Sequence, residues 1–286
     1  MKQPEFEEIA ENLFLLKIPF AGIWTGVYLS RHGQNILIDS GLNAEGADSV
    51  ILPALQKVGL GIPDIDLLLC THTHGDHIGG HARLKQLGVR KIGVYAAGAE
   101  KLRNPLKYSK QIRAAFPEHC ASPPAVLDGA EPDLILNDGD EIDGLRLIAT
   151  PGHDSDCVCF LDTGTETLLT GDSIQGNGTD TQGCALYMNL PAYENSLKKL
   201  QLLPIQRVVT GHPYHPWVSE RIEGKKAIKD CLELLKIYDT FLNAETDRDP
   251  ASLAVRLIRH VNGRVPGKLF LAMYTVREHL RKKENG

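Results

Sequence analysis

The sequence lacks any long hydrophobic run. No apolar stretch in its 286 residues approaches the ~18 residues that a membrane-spanning helix requires. Residues 1–8 are acidic and contain no apolar segment of the kind that forms a secretory signal. From these two absences we expect a cytoplasmic protein with no membrane partner.

Cysteines are few, and none form a C-x-x-C pair. The six cysteines also do not form the dense framework of a small secreted domain, so free thiols are expected. They are Cys70, Cys120, Cys157, Cys159, Cys184 and Cys231. Cys70, Cys157 and Cys159 lie beside histidine-containing turns, which leaves metal ligation or redox sensitivity as the alternative to buried packing. We favour buried packing, because a free cysteine behaves as a small hydrophobic side chain.

Composition sets limits but does not identify an activity. The net charge is −5 and 42% of the residues are hydrophobic. A chain of this length buries a large core, as one large domain or as one domain with an appendage.

The most informative motif is a histidine-rich turn at residues 72–77, with the sequence HTHGDH. It follows an apolar, strand-like run at residues 65–70. Imidazole and carboxylate groups are ligands of zinc and related divalent ions, and so many of them in one turn indicate a metal site at the end of a strand.

One turn cannot complete the coordination of a metal, and later parts of the chain supply candidates. His153, Asp172 and His212 each follow a leucine-rich or β-branched run, at a turn that contains glycine. Four strand ends are therefore expected to converge on one site.

These motifs, together with the segment IDSG at residues 38–41, occur in the order found in metallo-β-lactamase-fold hydrolases, which the chain resembles over residues 8–217. The resemblance implies a four-layer αββα fold of class α/β, in which two facing mixed sheets are flanked by helices. It also implies two metals, one held by His72, His74 and His153, and the other by Asp76, His77 and His212. Asp172 would bridge the two metals, and Asp39 would orient a ligand histidine.

The implied chemistry is hydrolysis by a hydroxide shared between two divalent metals. Asp76 is the candidate catalytic residue, as a metal ligand that also orients the nucleophile or passes its proton to the leaving group. Zinc is the expected metal, with iron and manganese as alternatives, because the same ligands suit all three.

Periodicity predicts the local structure. Strands are expected at 13–18, 26–30, 35–38, 91–95 and 205–210, and helices at 47–58, 79–87, 193–203, 222–242, 251–261 and 268–283. We expect a catalytic domain over residues 1–220 and a helical appendage over residues 221–286.

Two segments are candidate walls of the substrate site. Residues 98–127 form an insertion with basic residues along a helix-like stretch, and it either covers the metal cleft or presents a solvated helix face. Trp24 lies on an apolar segment, 20–26, that is expected to be a loop. With Tyr187, Tyr214 and His215 it completes the candidate substrate contacts, and packing is the alternative for each aromatic residue.

The C-terminal segment is basic. Residues 251–286 contain eight Lys or Arg and two Glu, a net charge of +6. The sequence TVREHL at residues 275–280 resembles the β-lactamase-like-protein-2 branch of the fold, some of whose members cut single-stranded RNA. The segment could bind nucleic acid or could pack on the domain or on the partner of a homodimer.

Three functions remain. We favour hydrolysis of a small ester, thioester or lactone, ahead of a metal-dependent phosphodiesterase or ribonuclease that acts on single-stranded RNA. A mononuclear iron sulfur dioxygenase is a third possibility. Within the resembling family, the aspartate at position 172 argues against hydrolysis of β-lactams, and the residues after His212 do not match the glutathione-binding residues of the glyoxalase-II branch.

Overall fold

The computed structural model describes residues 4–217 and 219–285. In this part of the chain the strands form two mixed sheets. The first sheet has the order β1 (Glu7–Ala10), β2 (Leu13–Phe20), β3 (Ile23–Ser30), β4 (Ile36–Ile38), β5 (Leu67–Leu69), β6 (Lys91–Tyr95), β7 (Leu134–Leu136). The strands β1 to β4 are antiparallel, and β4 to β7 are parallel.

The second sheet is built from the following part of the chain. It contains β8 (Glu141–Ile142), β9 (Leu145–Ala149), β10 (Val158–Asp162), β11 (Thr167–Leu169), β12 (Arg207–Val209) and β13 (Arg221–Glu223), in the order β13-β12-β11-β10-β9-β8. Its pairs are antiparallel except for β11 with β12, which are parallel.

The helices lie outside the two sheets. They are α1 (Ala44–Gly46), α2 (Leu52–Lys57), α3 (Gly75–Ile78), α4 (His81–Gln86), α5 (Ala99–Arg103), α6 (Pro105–Ala114), α7 (Leu190–Gln201), α8 (Lys226–Ala244), α9 (Pro250–His260) and α10 (Phe270–Asn285). A π-helical turn, Ala47–Ile51, joins α1 to α2.

Three hydrophobic clusters show the layering. One cluster lies between the sheets and contains Tyr28 and Leu69 of the first sheet and Phe160 of the second. Another packs α2 and α4 on the first sheet, and the third packs α7 to α10 on the second. The strands β5 and β11 consist of buried residues only, as expected where both faces of a sheet are covered. The predicted αββα fold with C-terminal helices is confirmed.

Two local predictions were wrong. Trp24 does not lie on a loop, because the hairpin of β2 and β3 extends to Phe20 and Ile23 and pairs Trp24 with Pro19. Residue 222 does not begin a helix, because Ile222 pairs with Val208 as part of the edge strand β13. Both segments are short, and pairing with a neighbouring strand overrides the local pattern.

The helix predicted from residue 79 begins two residues later, at His81. Gly79 and Gly80 pass so close to another loop that a Cβ atom at Gly79 would lie 1.8 Å from the carbonyl oxygen of Leu42. These glycines allow the histidine-rich turn to pack against the loop that follows β4.

The cysteine prediction is confirmed for the described residues. The six thiols are free; Cys120 is half-buried and the other five are buried. In the described ranges, no helix is long and apolar enough to cross a membrane. The division of the chain at residue 220 stays a prediction.

Candidate metal centre

The first sheet supplies four of the candidate ligands through the turn after β5. His72 follows the strand, His74 precedes α3, and Asp76 and His77 lie in the first turn of that helix. His77 is fully buried, whereas Asp76 is partly exposed. The turn therefore presents three imidazoles and one carboxylate from a short, rigid segment.

The second sheet supplies the other three candidates at the ends of its strands. His153 follows β9, Asp172 follows β11 and His212 follows β12. Gly171 has a φ of +48°, and a Cβ atom there would lie 2.3 Å from the Thr71 hydroxyl oxygen. Glycine at this position therefore allows the strand ends of the two sheets to meet.

The structure brings all seven predicted ligands together in overlapping triads. Within each triad, the candidate ligand atoms lie within 4.8 Å of one another. The triads are His72, His74 and His153; His72, His77 and Asp172; and Asp76, His77 and His212.

The polar atoms inside this cluster are arranged for a cation. His74 Nδ1 lies 3.0 Å from His153 Nε2, and His77 Nε2 lies 3.2 Å from His212 Nε2. Nε2 of His72 and Oδ1 of Asp172 are buried and have no hydrogen-bond partner among the described residues. Burying nitrogen and oxygen lone pairs side by side without hydrogen-bond donors costs free energy of folding. A bound metal ion would remove this cost, so the cluster is suited to metal binding.

The ring nitrogens that face away from the cluster have partners. His77 Nδ1 lies 2.8 Å from Oδ2 of Asp39, as the predicted orienting role of Asp39 requires. His212 Nδ1 lies 2.8 Å from the carbonyl oxygen of Trp24. Such contacts fix the tautomer and the orientation of a ligand histidine. Trp24 thus contributes to the site through its backbone.

Sequence reasoning missed the partner of His74. His74 Nε2 lies 3.2 Å from Oδ2 of Asp154, and Asp154 is held in turn by Lys101 of α5. Lys101 also bonds Asp156 at 2.7 Å. The adjacency of Asp154 to His153 was the available signal, whereas the contribution of Lys101 depends on tertiary structure.

The electrostatics favour the ligand forms of two groups. Burial lowers the pKa of His153 to about 4, so this imidazole is neutral at pH 7 and its lone pair is available. Burial alone would raise the pKa of Asp172, but His212 and His77 hold it well below its ordinary value. Asp172 is therefore a carboxylate, as a bridging ligand must be.

A cavity of about 670 Å³ opens onto the cluster. Asp76, His153, Asp172 and His212 lie on one wall. Residues from the predicted insertion, including Tyr108, Ile112 and Leu127, form another wall. The insertion therefore lies over the metal cleft.

Contacts with the C-terminal helix hold this insertion in place. The hydroxyl of Tyr274 donates to the carbonyl oxygen of Ile112 at 2.6 Å. The rings of Phe116 and Tyr274 meet edge to face at 5.3 Å between centroids. The wall over the cleft thus packs on α10.

The predicted substrate contacts do not line this cavity. Tyr187 is buried and its hydroxyl meets His279, while the buried ring of Tyr214 packs on His212 at 5.8 Å between centroids. His215 is exposed and meets Asp180 at 2.9 Å. The Trp24 side chain is also absent from the cavity lining as far as the structure describes it. These side chains therefore lie outside the lining of this cavity, and their role as substrate contacts stays a prediction.

The fold and the cluster together define a hydrolase-type enzyme of the αββα class. Residues 22–212 match the Metallo-beta-lactamase superfamily. The chain belongs to this superfamily.

Three comparisons place the chain among known proteins. A Beta-lactamase-like protein 2 homolog from Caenorhabditis elegans is 30% identical over 235 residues, which cover 77% of this chain and 68% of the relative. An atrochrysone carboxyl ACP thioesterase from Aspergillus fumigatus is 28% identical over 265 residues, which cover 87% and 73%. The structure of a metallo-beta-lactamase family protein from Thermus thermophilus superposes with a TM-score of 0.76 at 22% identity, covering 97% of this chain and 95% of the other.

Proposed function

We propose that the protein is a dinuclear metal-dependent hydrolase, with zinc as the expected metal, that cleaves a small ester, thioester or lactone. The observation that carries this proposal is the cluster of seven candidate ligands, in which Asp172 lies with six others. Two of the triads share no residue, and each offers three candidate ligand atoms. Oδ1 of Asp172 lies 3.3 Å from Nε2 of His77, and its Oδ2 lies 3.5 Å from Nε2 of His153. A carboxylate in this position can serve both metals.

Two bound divalent metals would supply a hydroxide near neutral pH and polarise the scissile carbonyl group. Asp76 lies on the cavity wall, and its Oδ2 is 3.3 Å from Nε2 of His212. Burial raises the pKa of Asp76, but His77 and His212 lower it by more, so Asp76 is ionised at pH 7. It is therefore a carboxylate, the form that can ligate a metal and orient the nucleophile, and a proton transfer to the leaving group would depend on hydrogen-bond reach.

The shape and lining of the cavity support a small-molecule substrate. A volume of about 670 Å³ lies within the range of typical ligand sites. Ile23, Met188 and Leu271 contribute apolar surface that would hold an acyl chain and exclude water. The relative from Aspergillus fumigatus is named as a thioesterase, which supports the thioester within this class.

A phosphodiesterase that acts on single-stranded RNA is the second candidate. The basic C-terminal segment motivates it, but several of its cations already pair with acidic groups of this chain. They are Arg256, Arg264, Arg277, Arg281 and Lys282. Paired cations gain less from phosphate contact than free ones, so we rank this function below hydrolysis of a small substrate.

The test combines metal analysis with substrate screening. Elemental mass spectrometry of the wild type should find about two zinc ions per chain, and Asp172→Ala should lower this content. Asp180→Ala, which removes an exposed carboxylate outside the cluster, is the matched control and should retain both metals. Turnover of an ester and thioester panel should disappear in Asp172→Ala and persist in Asp180→Ala.

Two results would contradict the proposal. A single iron ion that survives Asp172→Ala would move the search to sulfur dioxygenation. Cleavage of single-stranded RNA that weakens steeply with salt, in the absence of ester or thioester turnover, would favour the phosphodiesterase.

A further inference from the structure

We propose that Arg113, together with Lys268, binds an anionic group of the substrate, a carboxylate or a phosphate, on the cavity wall formed by α6 and the start of α10. This inference rests on the proposed hydrolase function and names the class of its substrate.

The charged residues that line the cavity differ in whether a partner within the protein balances them. The acidic residues Asp76, Asp154 and Asp172 belong to the metal cluster or contact one of its histidines. Lys101 lines the cavity too, but Asp154 and Asp156 hold its ammonium group. Its charge is therefore already balanced within the protein.

Arg113 is a cation without such a balance. Its Nη1 donates to the carbonyl oxygen and to Oγ of Ser109 at 3.0 and 2.8 Å. Its Nε is buried and has no hydrogen-bond partner, and within the described chain no carboxylate forms an ion pair with it. The guanidinium lies 5.7 Å from the centroid of the Phe270 ring, which also lines the cavity.

An unbalanced guanidinium in a largely apolar wall has a physical cost. Burial lowers the pKa of Arg113, which shows that desolvation acts against its charge. Arginine remains charged at neutral pH, and the favourable way to relieve this cost is an anion that accepts its free N–H groups. Carboxylate and phosphate match the planar fork of donors, so they are the expected partners.

Lys268 lies on the same wall. It precedes by two residues the Phe270 ring on which Arg113 rests, and it too lines the cavity. Lys268 is exposed, and no ion pair holds it in the part of the chain that the structure describes. The two cations come from α6 and from the residues before α10, and both line the same cavity.

Apolar side chains complete this part of the cavity, among them Ile112, Leu186 and Leu271. The substrate that matches these walls has a scissile acyl bond at the metal cluster, an apolar portion and an anionic group. An ester or thioester that carries a carboxylate or a phosphate meets all three requirements.

The experiment compares three thioesters that share one acyl bond and differ in a distal group, which is a neutral amide, a carboxylate or a phosphate. Arg113→Gln should raise KM for the preferred anionic substrate about 10- to 100-fold, the range for a lost hydrogen bond to a charged group. KM for the neutral thioester and kcat for all three should change less than about twofold. Arg113→Lys should restore part of the preference.

Lys110→Gln is the matched control, because it removes the same charge from an exposed position on the same helix, outside the cavity lining. It should leave the ratio of anionic to neutral KM unchanged. An Arg113→Gln variant that retains the wild-type ratio would overturn the proposal, whether or not its overall activity falls. The carboxylate and phosphate arms show which anion the site prefers.

A binding measurement separates this inference from the hydrolase proposal. Uncleavable thioethers with the same three distal groups are titrated by calorimetry into the wild type and Arg113→Gln. Tighter binding of an anionic thioether that is lost in the variant supports the anion site even if no thioester is cleaved. Equal binding of the neutral and anionic thioethers to the wild type would exclude it.

Discussion

The carbonyl oxygen of Leu186 lies 3.0 Å from Nδ1 of His153 and orients this histidine toward the metal cluster. Gln175 helps to position Leu186, because its Oε1 accepts from the Leu186 N–H at 2.8 Å. The loop of Leu186 is fixed from its other side by α10. The hydroxyl of Thr275 donates to the carbonyl oxygen of Ala185 at 2.6 Å and accepts from the Tyr187 N–H at 3.3 Å.

This chain of contacts predicts that Thr275→Val lowers the affinity for the metal that is proposed to bind His153. The variant keeps the shape of the side chain but leaves two buried backbone groups without a partner, which should lower the free energy of unfolding by about 1–3 kcal/mol. The loosened loop should weaken metal affinity by about tenfold, at the lower end of the range for residues that orient a ligand. Chelator competition on the folded protein measures this affinity.

Thr275→Ser is the control, since it retains the hydroxyl and should retain metal affinity. If Thr275 only stabilised the fold, Thr275→Val would lower Tm of the metal-free protein and leave the affinity of the folded protein unchanged. That combination would refute the orienting role.

Asp39→Asn should weaken binding of the metal that is proposed to be held by Asp76, His77 and His212. The carboxylate of Asp39 accepts from the backbone N–H and the hydroxyl of Thr71 and faces Nδ1 of His77. An amide of the same shape places one donor against another in this buried site. We expect a loss of metal affinity of about 10- to 100-fold, measured by chelator competition. Asp48→Asn, a change in an exposed pair with Arg83, should have no effect.

Gly79→Ala should destabilise the fold. The added Cβ atom would lie 1.8 Å from the carbonyl oxygen of Leu42, a backbone atom that cannot rotate away. We expect the free energy of unfolding to fall by about 3 kcal/mol, the upper part of the usual range for overpacking. Urea unfolding measures it. Gly61→Ala, whose Cβ would meet the nearest atom at 3.5 Å, should unfold at nearly the wild-type urea concentration.

Acid should destabilise the metal-free protein through His81. Burial lowers the pKa of His81 from 6.5 to about 3, and its Nδ1 lies 2.7 Å from the hydroxyl of Ser40. Below pH 6.5 the unfolded chain binds a proton that the folded His81 does not, so stability falls as the pH drops. The contribution is about 1.4 kcal/mol per pH unit, or about 2 kcal/mol between pH 7 and pH 5.

The comparison of wild type with His81→Asn isolates this contribution, because Asn can keep the bond to Ser40. Urea unfolding at pH 7, 6 and 5 should give a shallower pH dependence for the variant. Equal slopes for the two proteins would show that His81 is not the group responsible.

The candidate ligands could be predicted from the sequence because each lies in or beside a local sequence motif. His72 and His74 share one turn, and His153 and His212 each follow a strand at a glycine-containing turn. What orients these ligands was harder to predict. The carbonyl oxygen of Leu186 carries no side-chain signal, since any residue presents one there.

The walls of the cavity were predicted only in part. The insertion was located from its composition and position, and Ile112 and Arg113 do line the cleft. Trp24 was misplaced, because strand pairing with β2 decides the direction of its side chain and the local sequence does not. Tyr187 lies outside the lining of the cleft, and its hydroxyl contacts His279, a residue 92 positions away in sequence.

The cluster lies where the two halves of the chain meet, and each triad takes ligands from both sheets. A metal bound there is therefore a cross-link between two separately built layers as well as a catalytic group. Metal binding therefore raises the free energy of unfolding, by an amount that grows with metal concentration. The protein should thus melt at a higher temperature when loaded, and its resistance to heat should report occupancy directly.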